Sequence, residues 1–231
     1  MVDNCDQCQE RRPSQQYNPR TTEPPSAAFG APMAHVGLDL FDFAGKKHII
    51  CVDRWLGFPL YKRLNSTSTQ SVINVLETWF NILGWPSNIR SDGGPQFMGP
   101  FKKWCANNNI KHELAPPYNP QGNGLAEAGV KNIKNLLAKC TKTGEDPQKS
   151  LYHWRNIPRT DGFSPAPLLF GRKQFTSVPA TESHYLPYNP AAAQAGRDEA
   201  FYNAEKHHNQ HKTFLPTLNI RDEVKLQCLN T

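Results

Sequence analysis

Apolar residues occupy every second position over residues 35–43, and polar or small residues lie between most of them. A period of two is typical of a β-strand with one buried face. Two further strands are predicted at 47–52 and 58–64, because these short apolar segments are separated by a Trp-Leu-Gly turn. The compact part of the chain is therefore expected to begin with three strands joined by short links, which favours an antiparallel meander.

Helical spacing follows the third predicted strand. Apolar residues over 72–83 recur every three or four positions, and Gly84 and Pro86 end the predicted helix. Beyond it the sequence predicts a strand, a helix, a strand and a long helix, at 88–91, 97–107, 110–114 and 122–140. This order predicts an α/β layer fold, with a mixed five-stranded sheet flanked by helices and with parallel crossovers in its second half.

The two ends of the chain are less regular. Residues 1–34 are rich in Pro, Gln, Thr and Ser, so we expect a leader there and compact structure from His35. Weaker elements are predicted after the long helix: helices at 147–157, 164–171 and 197–212, and a strand at 218–226. The predicted organisation is a leader over 1–34, a core over 35–172, and a linker, helix and partial C-terminal module over 173–231.

Composition narrows the class of protein. A chain of 231 residues with 38% hydrophobic residues can bury one substantial core. Its net charge of +6 favours polyanionic partners. No apolar stretch approaches the roughly 18 residues of a membrane span and no signal peptide follows Met1, so no membrane partner is expected. The six cysteines are scattered, which favours a reducing compartment over a disulfide framework.

Three acidic residues lie where strand ends and a helix start could converge. Asp39 lies within the first strand, Asp92 ends the fourth, and Glu127 lies in the first turns of the long helix. Carboxylates are the ligands that hard divalent cations prefer. Asp42 and Asp53 are equally close to strands, Asp92 could simply form a turn, and Glu127 could simply stabilise a helix N-terminus. The pattern alone therefore leaves both interpretations open.

Sequence motifs favour the metal-binding interpretation. Residues 91–97, Ser-Asp-Gly-Gly-Pro-Gln-Phe, resemble the SDxGxxF signature of integrases. Residues 117–127, Pro-Tyr-Asn-Pro-Gln-Gly-Asn-Gly-Leu-Ala-Glu, resemble their PYxPQxxGxxE signature, and residues 35–41 resemble the strand that carries their first aspartate. Residues 162–165 and 168–172 resemble a stretch downstream of the core in gypsy-type retrotransposons, and residues 222–224 resemble the entry to the small C-terminal DNA-binding β-barrel of the family. The chain thus resembles the integrases of retroviruses and gypsy-type LTR retrotransposons over nearly its whole length.

The resemblance implies a ribonuclease H-like catalytic core in which Asp39, Asp92 and Glu127 bind two Mg²⁺ or Mn²⁺ ions. The implied activity is DNA end processing followed by strand transfer into target DNA. It also implies DNA as partner, a homo-oligomer and a nuclear location. Two alternative functions stay open: a decayed or domesticated product that binds DNA without cutting it, and a ribonuclease H-like nuclease that cuts without joining.

Residues near Glu127 are candidates for DNA contacts. Lys131 and Lys134 lie four and seven positions later, so a helix places all three on one face. The resemblance implies that both lysines bind donor phosphates, and a solvated helix face is the alternative. Many retroviral relatives have Asn where this chain has Val130, and Gly129 is expected to weaken the helix by roughly 1 kcal/mol relative to Ala. Further contacts are implied in the preceding loop, with an ordinary Pro/Gly loop as the alternative: Tyr118, Pro120, Gln121 and Asn123.

Cys5 and Cys8 have the spacing of half a zinc site and match the cysteine half of the zinc module of integrases. Two ligands do not complete a tetrahedral site, so we do not expect Zn²⁺ in this chain. Residues 1–34 are then expected to be a truncated remnant, extended or loosely packed. Three histidines near the C-terminus are interpreted as part of a solvated basic helix: His207, His208 and His211.

Overall fold

The structure is a computed structural model of the whole chain. It describes residues 30–115, 124–159, 162–175, 177, 179, 181–185, 187 and 189–210. Five strands form one sheet: β1 (His35–Phe43), β2 (Lys46–Asp53), β3 (Pro59–Arg63), β4 (Asn88–Ser91) and β5 (Lys111–Leu114). Six helices accompany them: α1 (Thr69–Leu83), α2 (Pro100–Asn107), α3 (Gly124–Thr143), α4 (Pro147–Trp154), α5 (Pro165–Phe170) and α6 (Pro190–Asn209).

The strand order across the sheet is β3-β2-β1-β4-β5. Strands β1, β2 and β3 pair antiparallel, whereas β4 pairs parallel with β1 and β5 pairs parallel with β4. The predicted mixed five-stranded sheet is therefore confirmed. The antiparallel strands β1, β2 and β3 are joined by short turns. Parallel strands need a connection that runs back along the sheet, and α1 and α2 provide it before β4 and β5.

Two apolar layers cover the sheet, one on each side. On the α1 face, β1 and β2 contribute Leu38 and Ile49, which pack with side chains of α1, α2 and α5. On the α3 face, Ile50 and Val52 of β2 pack against α3 and α4, including Ile133 of α3. Neighbouring residues of one strand thus belong to opposite layers, as the alternation of a pleated strand requires.

Several predicted helices differ in extent from the observed ones, and two of the differences have a clear cause in the sequence. The predicted helix at 97–107 is divided into a 3-10 turn, Pro95–Phe97, and α2, because Gly99 has a φ of 42° and Pro100 lies in the first turn of α2. The predicted helix at 197–212 begins earlier, at Pro190. The Asn189 side chain accepts hydrogen bonds from the two amides that follow the proline, so the Pro-rich segment starts a helix instead of preventing one.

The compact unit that holds the sheet comprises Pro24–Glu199, which is wider than the predicted core of 35–172. Met33 is 2% exposed, and its N–H donates to Asp53, so packing on the sheet begins before β1. A second unit comprises Met1–Glu23 with Ala200–Thr231, of which the structure describes 200–210, helical as far as Asn209. Among the described helices, none has the length and apolar character needed to cross a membrane.

Candidate active site

Asp39 lies in the middle of β1, opposite Ile50 of β2. Strand alternation places its side chain on the α3 face together with Phe41, which belongs to the apolar layer beneath α3. Asp39 is half-buried at the margin of this layer. The other side chains that β1 directs to the α3 face, Phe41 and Phe43, are hydrophobic. The carboxylate of Asp39 is therefore an exception on this face of the strand.

Asp92 immediately follows β4, and the register of β4 against β1 brings it towards Asp39. The pairing of these parallel strands ends at Gly37 and Arg90, and two further residues along each strand lead to Asp39 and Asp92. Asp92 is exposed, and its Oδ1 accepts a hydrogen bond of 3.2 Å from the Gly94 N–H. This local turn explains the Gly-Gly that follows it, because the backbone must bend immediately beyond the strand.

Glu127 is exposed in the first turn of α3. The helix packs across β1 and β2 through residues one to three turns further on, among them Ile133 and Leu137. Its N-terminal turn is thereby brought to the part of the sheet where Asp39 lies. Three carboxylates that are far apart in the sequence therefore belong to one region of the α3 face.

The electrostatics of Asp39 show that these carboxylates influence one another. Burial and, to a lesser extent, the negative charges of Asp92 and Glu127 together raise the pKa of Asp39 to about 6. A backbone hydrogen bond at Leu40 and the positive charge of Lys134 act in the opposite direction, but they are outweighed. The charges of Asp92 and Glu127 therefore act on Asp39 and disfavour its ionisation, an effect that a bound cation would reverse.

The donor chemistry fits a divalent metal ion. All three groups are carboxylates, and oxygen ligands of this kind suit Mg²⁺ and Mn²⁺. Across the described part of the chain, no three His, Cys, Asp or Glu side chains lie close enough together to hold a metal ion. Coordination by Asp39, Asp92 and Glu127 therefore stays a prediction, supported by the charge at Asp39 and by the sheet register.

The two other aspartates near these strands have separate partners. Asp42 is exposed and forms a salt bridge of 2.7 Å with Lys47 across the hairpin. Asp53 is 0% exposed and accepts hydrogen bonds from the N–H groups of Met33 and Leu56. Asp53 therefore organises the turn between β2 and β3. Its burial and its backbone donors could not be recognised from the sequence, in which it looks like any aspartate at the end of a strand.

The lysines of α3 are placed as the helical spacing predicts. Lys131 and Lys134 are both exposed, and the Lys134 Nζ lies 5.7 Å from the centre of the Phe41 ring. Lys134 is thus close enough to Asp39 to stabilise its charged form. Val130 is partly buried against the apolar layer of the α3 face. It therefore has a packing role at the position where many retroviral relatives have Asn.

Several predicted sites lie outside the described residues. These are the candidate DNA-contact loop with Tyr118, Pro120, Gln121 and Asn123, the cysteine pair Cys5 and Cys8, and the predicted strand at 218–226. Of the three C-terminal histidines, His207 is exposed on α6, and nothing is described for the side chains of the other two. The predictions for these residues are unchanged.

A five-stranded mixed sheet of this order, with helices on both faces, is the ribonuclease H-like fold. A chain of a simian T-cell lymphotropic virus intasome matches 78% of this chain with a TM-score of 0.61 and 20% identity, over 68% of its own length. The catalytic core domain of BIV integrase matches 59% of this chain with a TM-score of 0.51 and 19% identity, over 93% of its own length. The chain therefore has the fold of a retroviral integrase catalytic core.

Sequence comparison leads to the same group of proteins. The Gag-Pro-Pol polyprotein of Mason-Pfizer monkey virus is 34% identical over 110 residues, which are 47% of this chain and 6% of the polyprotein. That of sheep pulmonary adenomatosis virus is 27% identical over 192 residues, 78% of this chain and 11% of the polyprotein. An uncharacterized Caenorhabditis elegans protein is 32% identical over 189 residues, 77% of this chain and 14% of that protein.

The chain thus spans only a small part, 6–14%, of the curated relatives named above. No protein-family model matches it. It is homologous to a segment of retroviral Gag-Pro-Pol polyproteins, and this homology agrees with its integrase-core fold.

Proposed function

We propose that this chain is the catalytic part of an integrase of a retrovirus or LTR retrotransposon, a polynucleotidyl transferase that processes the ends of element DNA and joins them to target DNA. The observation that carries the proposal is the register of β4 against β1, which leads from the pair Gly37 and Arg90 towards Asp39 and Asp92, and the pKa of Asp39, raised to about 6 by burial and by the charges of Asp92 and Glu127, agrees with it. A fold that only bound DNA would gain nothing from three carboxylates that repel one another and the phosphates.

Asp39, Asp92 and Glu127 would hold two Mg²⁺ or Mn²⁺ ions. When bound, such ions supply charge stabilisation and activation of an oxygen nucleophile for in-line phosphoryl displacement. The protein would contribute position: the register of β4 against β1 supports two ligands lying side by side, and the first turn of α3 would supply the third. Preorganised carboxylates need little rearrangement during the reaction, which is the largest contribution a protein makes to phosphoryl transfer.

Lys131 and Lys134 follow Glu127 along one side of α3 and are exposed. We infer that they bind phosphates of the donor strand beside the carboxylates, because the DNA must approach a negatively charged site. Positive charges next to that site offset the repulsion and orient the strand. The overall charge of +6 favours the same partner.

We further infer that the protein of which this segment is part forms a homo-oligomer on element ends and acts in the nucleus. The resemblance to integrases supports both proposals. Zn²⁺ is not proposed for this chain, because Cys5 and Cys8 supply only two of the four ligands that a structural site needs.

The test is strand transfer of a duplex carrying the element's terminal sequences, in Mg²⁺ and in Mn²⁺. Asp92→Asn should abolish joining and leave the fold intact, since it removes a ligand charge and almost no volume. Asp42→Asn is the matched control, because Asp42 is also an exposed aspartate near these strands but is paired with Lys47. It should keep wild-type activity.

The remaining outcomes would contradict the proposal in recognisable ways. Cutting without joining would identify a ribonuclease H-like nuclease. Salt-dependent DNA binding with neither cutting nor joining would identify a decayed or domesticated DNA-binding protein. Wild-type joining by Asp92→Asn would show that the carboxylate at this position has no part in the chemistry.

A further inference from the structure

Ser91, the last residue of β4, is a polar residue with 0% exposure. Its Oγ lies 2.9 Å from Nε2 of His112 on the neighbouring strand β5. The same Oγ donates a hydrogen bond of 2.9 Å to the backbone carbonyl of Asp92. A chain of two hydrogen bonds therefore leads from a histidine on β5 to the peptide group of Asp92.

The direction of these hydrogen bonds is fixed by counting protons. A serine hydroxyl has a single proton, and the carbonyl of Asp92 can only accept. The Ser91 hydroxyl therefore donates to the carbonyl, and the Nε2–H of His112 donates to Ser91 Oγ. This requires a proton on Nε2 of His112, which in the neutral ring leaves a lone pair on Nδ1.

The surroundings of His112 favour the same tautomer. Its Nδ1 is buried and has no hydrogen-bond partner among the described residues, so a proton there would be an unsatisfied donor. Burial lowers the pKa of His112, and the positive charge of Lys102 lowers it further. The ring packs edge-to-face on Phe101 at 5.1 Å between centroids, and Phe101 is 0% exposed. The imidazole is held in one orientation.

The chain of hydrogen bonds approaches Asp92 from the side of the sheet opposite to Asp39. Ile89 is the register partner of His112 and lies in the apolar layer of the α1 face. Ser91, two residues after Ile89, points to the same face. Asp39 lies on the α3 face, so His112 reaches the site only through Ser91 and the backbone.

We propose that His112 is a positioning residue that fixes the peptide group of Asp92 through Ser91 and thereby aims the Asp92 carboxylate. Two other contacts hold the same segment: the Ala115 N–H donates to the Ser91 carbonyl at 2.8 Å, and the Gly94 N–H binds the Asp92 carboxylate. The Asp92 carbonyl itself accepts from the Ser91 hydroxyl, which His112 in turn holds in place. The catalytic part of this inference rests on the proposed integrase function.

The first measurement is the tautomer of His112 in the DNA-free wild-type chain, by nitrogen-15 NMR of the imidazole. We expect Nε2 to be protonated and Nδ1 to be unprotonated at neutral pH. A neutral ring with its proton on Nδ1 would overturn the inference, because Ser91 Oγ would then have no donor from the ring. This measurement depends on neither metal nor activity.

The second measurement compares His112→Leu, which removes the donor, with His112→Gln, whose side-chain amide can donate to Ser91. Outer contacts of metal ligands typically change metal affinity by about tenfold or more. His112→Leu should therefore weaken Mn²⁺ binding to the DNA-free chain about tenfold and lower the kcat of strand transfer without raising KM for DNA. His112→Gln should restore both.

The matched control is His153→Leu, because His153 also lies within hydrogen-bond distance of a serine hydroxyl, 3.2 Å from Ser177, but on α4. It should match the wild type in both readouts. Equal Mn²⁺ affinity and kcat for wild type and His112→Leu would overturn the proposal, as would failure of His112→Gln in a fully folded protein. If His112→Leu does not fold, Ser91→Ala replaces it.

The two proposals can fail separately. A wild-type chain that binds Mn²⁺ and shows the expected tautomer but joins no DNA would refute the integrase activity. The affinity series would then still decide whether His112 positions Asp92. If the wild type joins DNA normally and His112→Leu keeps the same Mn²⁺ affinity and the same kcat, only the positioning role is refuted.

Discussion

Gly129 on α3 is the position where a single methyl group should disturb both packing and the site. A Cβ built there would lie 2.6 Å from Cγ2 of Val52 and 3.0 Å from Cδ1 of Ile50. Carbon atoms pack best at about 3.5–4.0 Å, so Gly129→Ala requires a displacement of about 1 Å. Val52 and Ile50 are 2% and 0% exposed, and residues this deeply packed cannot move aside without disturbing their neighbours.

Two effects oppose each other in this variant. Alanine stabilises a helix by about 1 kcal/mol relative to glycine. Overpacking a core costs about 1–3 kcal/mol, so the net expectation is a loss of about 1 kcal/mol in the free energy of unfolding. Glu127 lies two residues before Gly129, and a shift of about 1 Å in a catalytic group can lower the rate about 100-fold. Activity should therefore fall far more than stability.

The assay combines urea denaturation with strand transfer at a temperature where both proteins are folded. Ala138→Gly is the control, because Ala138 is exposed on the same helix and should lose about 1 kcal/mol with activity unchanged. Val52→Ala removes the nearer methyl, and the Val52 atom then closest to the new Cβ is 3.9 Å away. The double variant should be more stable than the sum of the single effects. A Gly129→Ala protein that gains about 1 kcal/mol and keeps full activity would refute the reasoning.

Three further predictions concern charge and polar contacts. Replacing Lys131 and Lys134 together with Ala should weaken DNA binding and reduce the magnitude of its salt slope, and an unchanged slope would mean that both lie on a solvated face. Burial lowers the pKa of His48, so the free energy of unfolding should fall as pH drops below 6.5. His48→Phe should make the melting temperature less dependent on pH in thermal melts between pH 5 and 7.5. Arg197 donates to the carbonyl of Trp55, so Arg197→Met should cost about 2 kcal/mol in chemical denaturation, and a neutral result would exclude a role for α6 in holding that turn.

The sheet could be predicted from the sequence because its signals are local. Each strand and most helices carry their own period and their own stop signals, such as the Gly84 that ends α1. The motifs around Asp92 and Glu127 selected two of the three carboxylates, whereas strand alternation alone did not separate Asp39 from Asp53. Their difference lies in partners: Asp53 accepts hydrogen bonds from the N–H groups of Met33 and Leu56, whereas the pKa of Asp39 is raised by burial and by the charges of Asp92 and Glu127.

Contacts between distant segments could not be predicted. Gly129 looks like a weak position in a helix, but the structure shows that α3 can approach β2 closely only because no side chain is present there. Ser91 and His112 look like an ordinary strand end and an ordinary strand histidine. Their hydrogen bond depends on the register of β4 against β5, which periodicity does not determine.

The register of β4 explains why the site forms where it does. Ile89 pairs with Val36, and both are 0% exposed in the layer on the α1 face. A slip of β4 by one residue would turn Ile89 to the α3 face and bring Asp92 level with a neighbour of Asp39 that points the other way. Apolar packing on one face of the sheet therefore fixes the register that brings Asp92 towards Asp39 on the other. Burial and the charges of Asp92 and Glu127 oppose ionisation of Asp39, and the apolar layers outweigh this cost, so the protein can maintain a half-buried carboxylate whose charged form a divalent cation would stabilise.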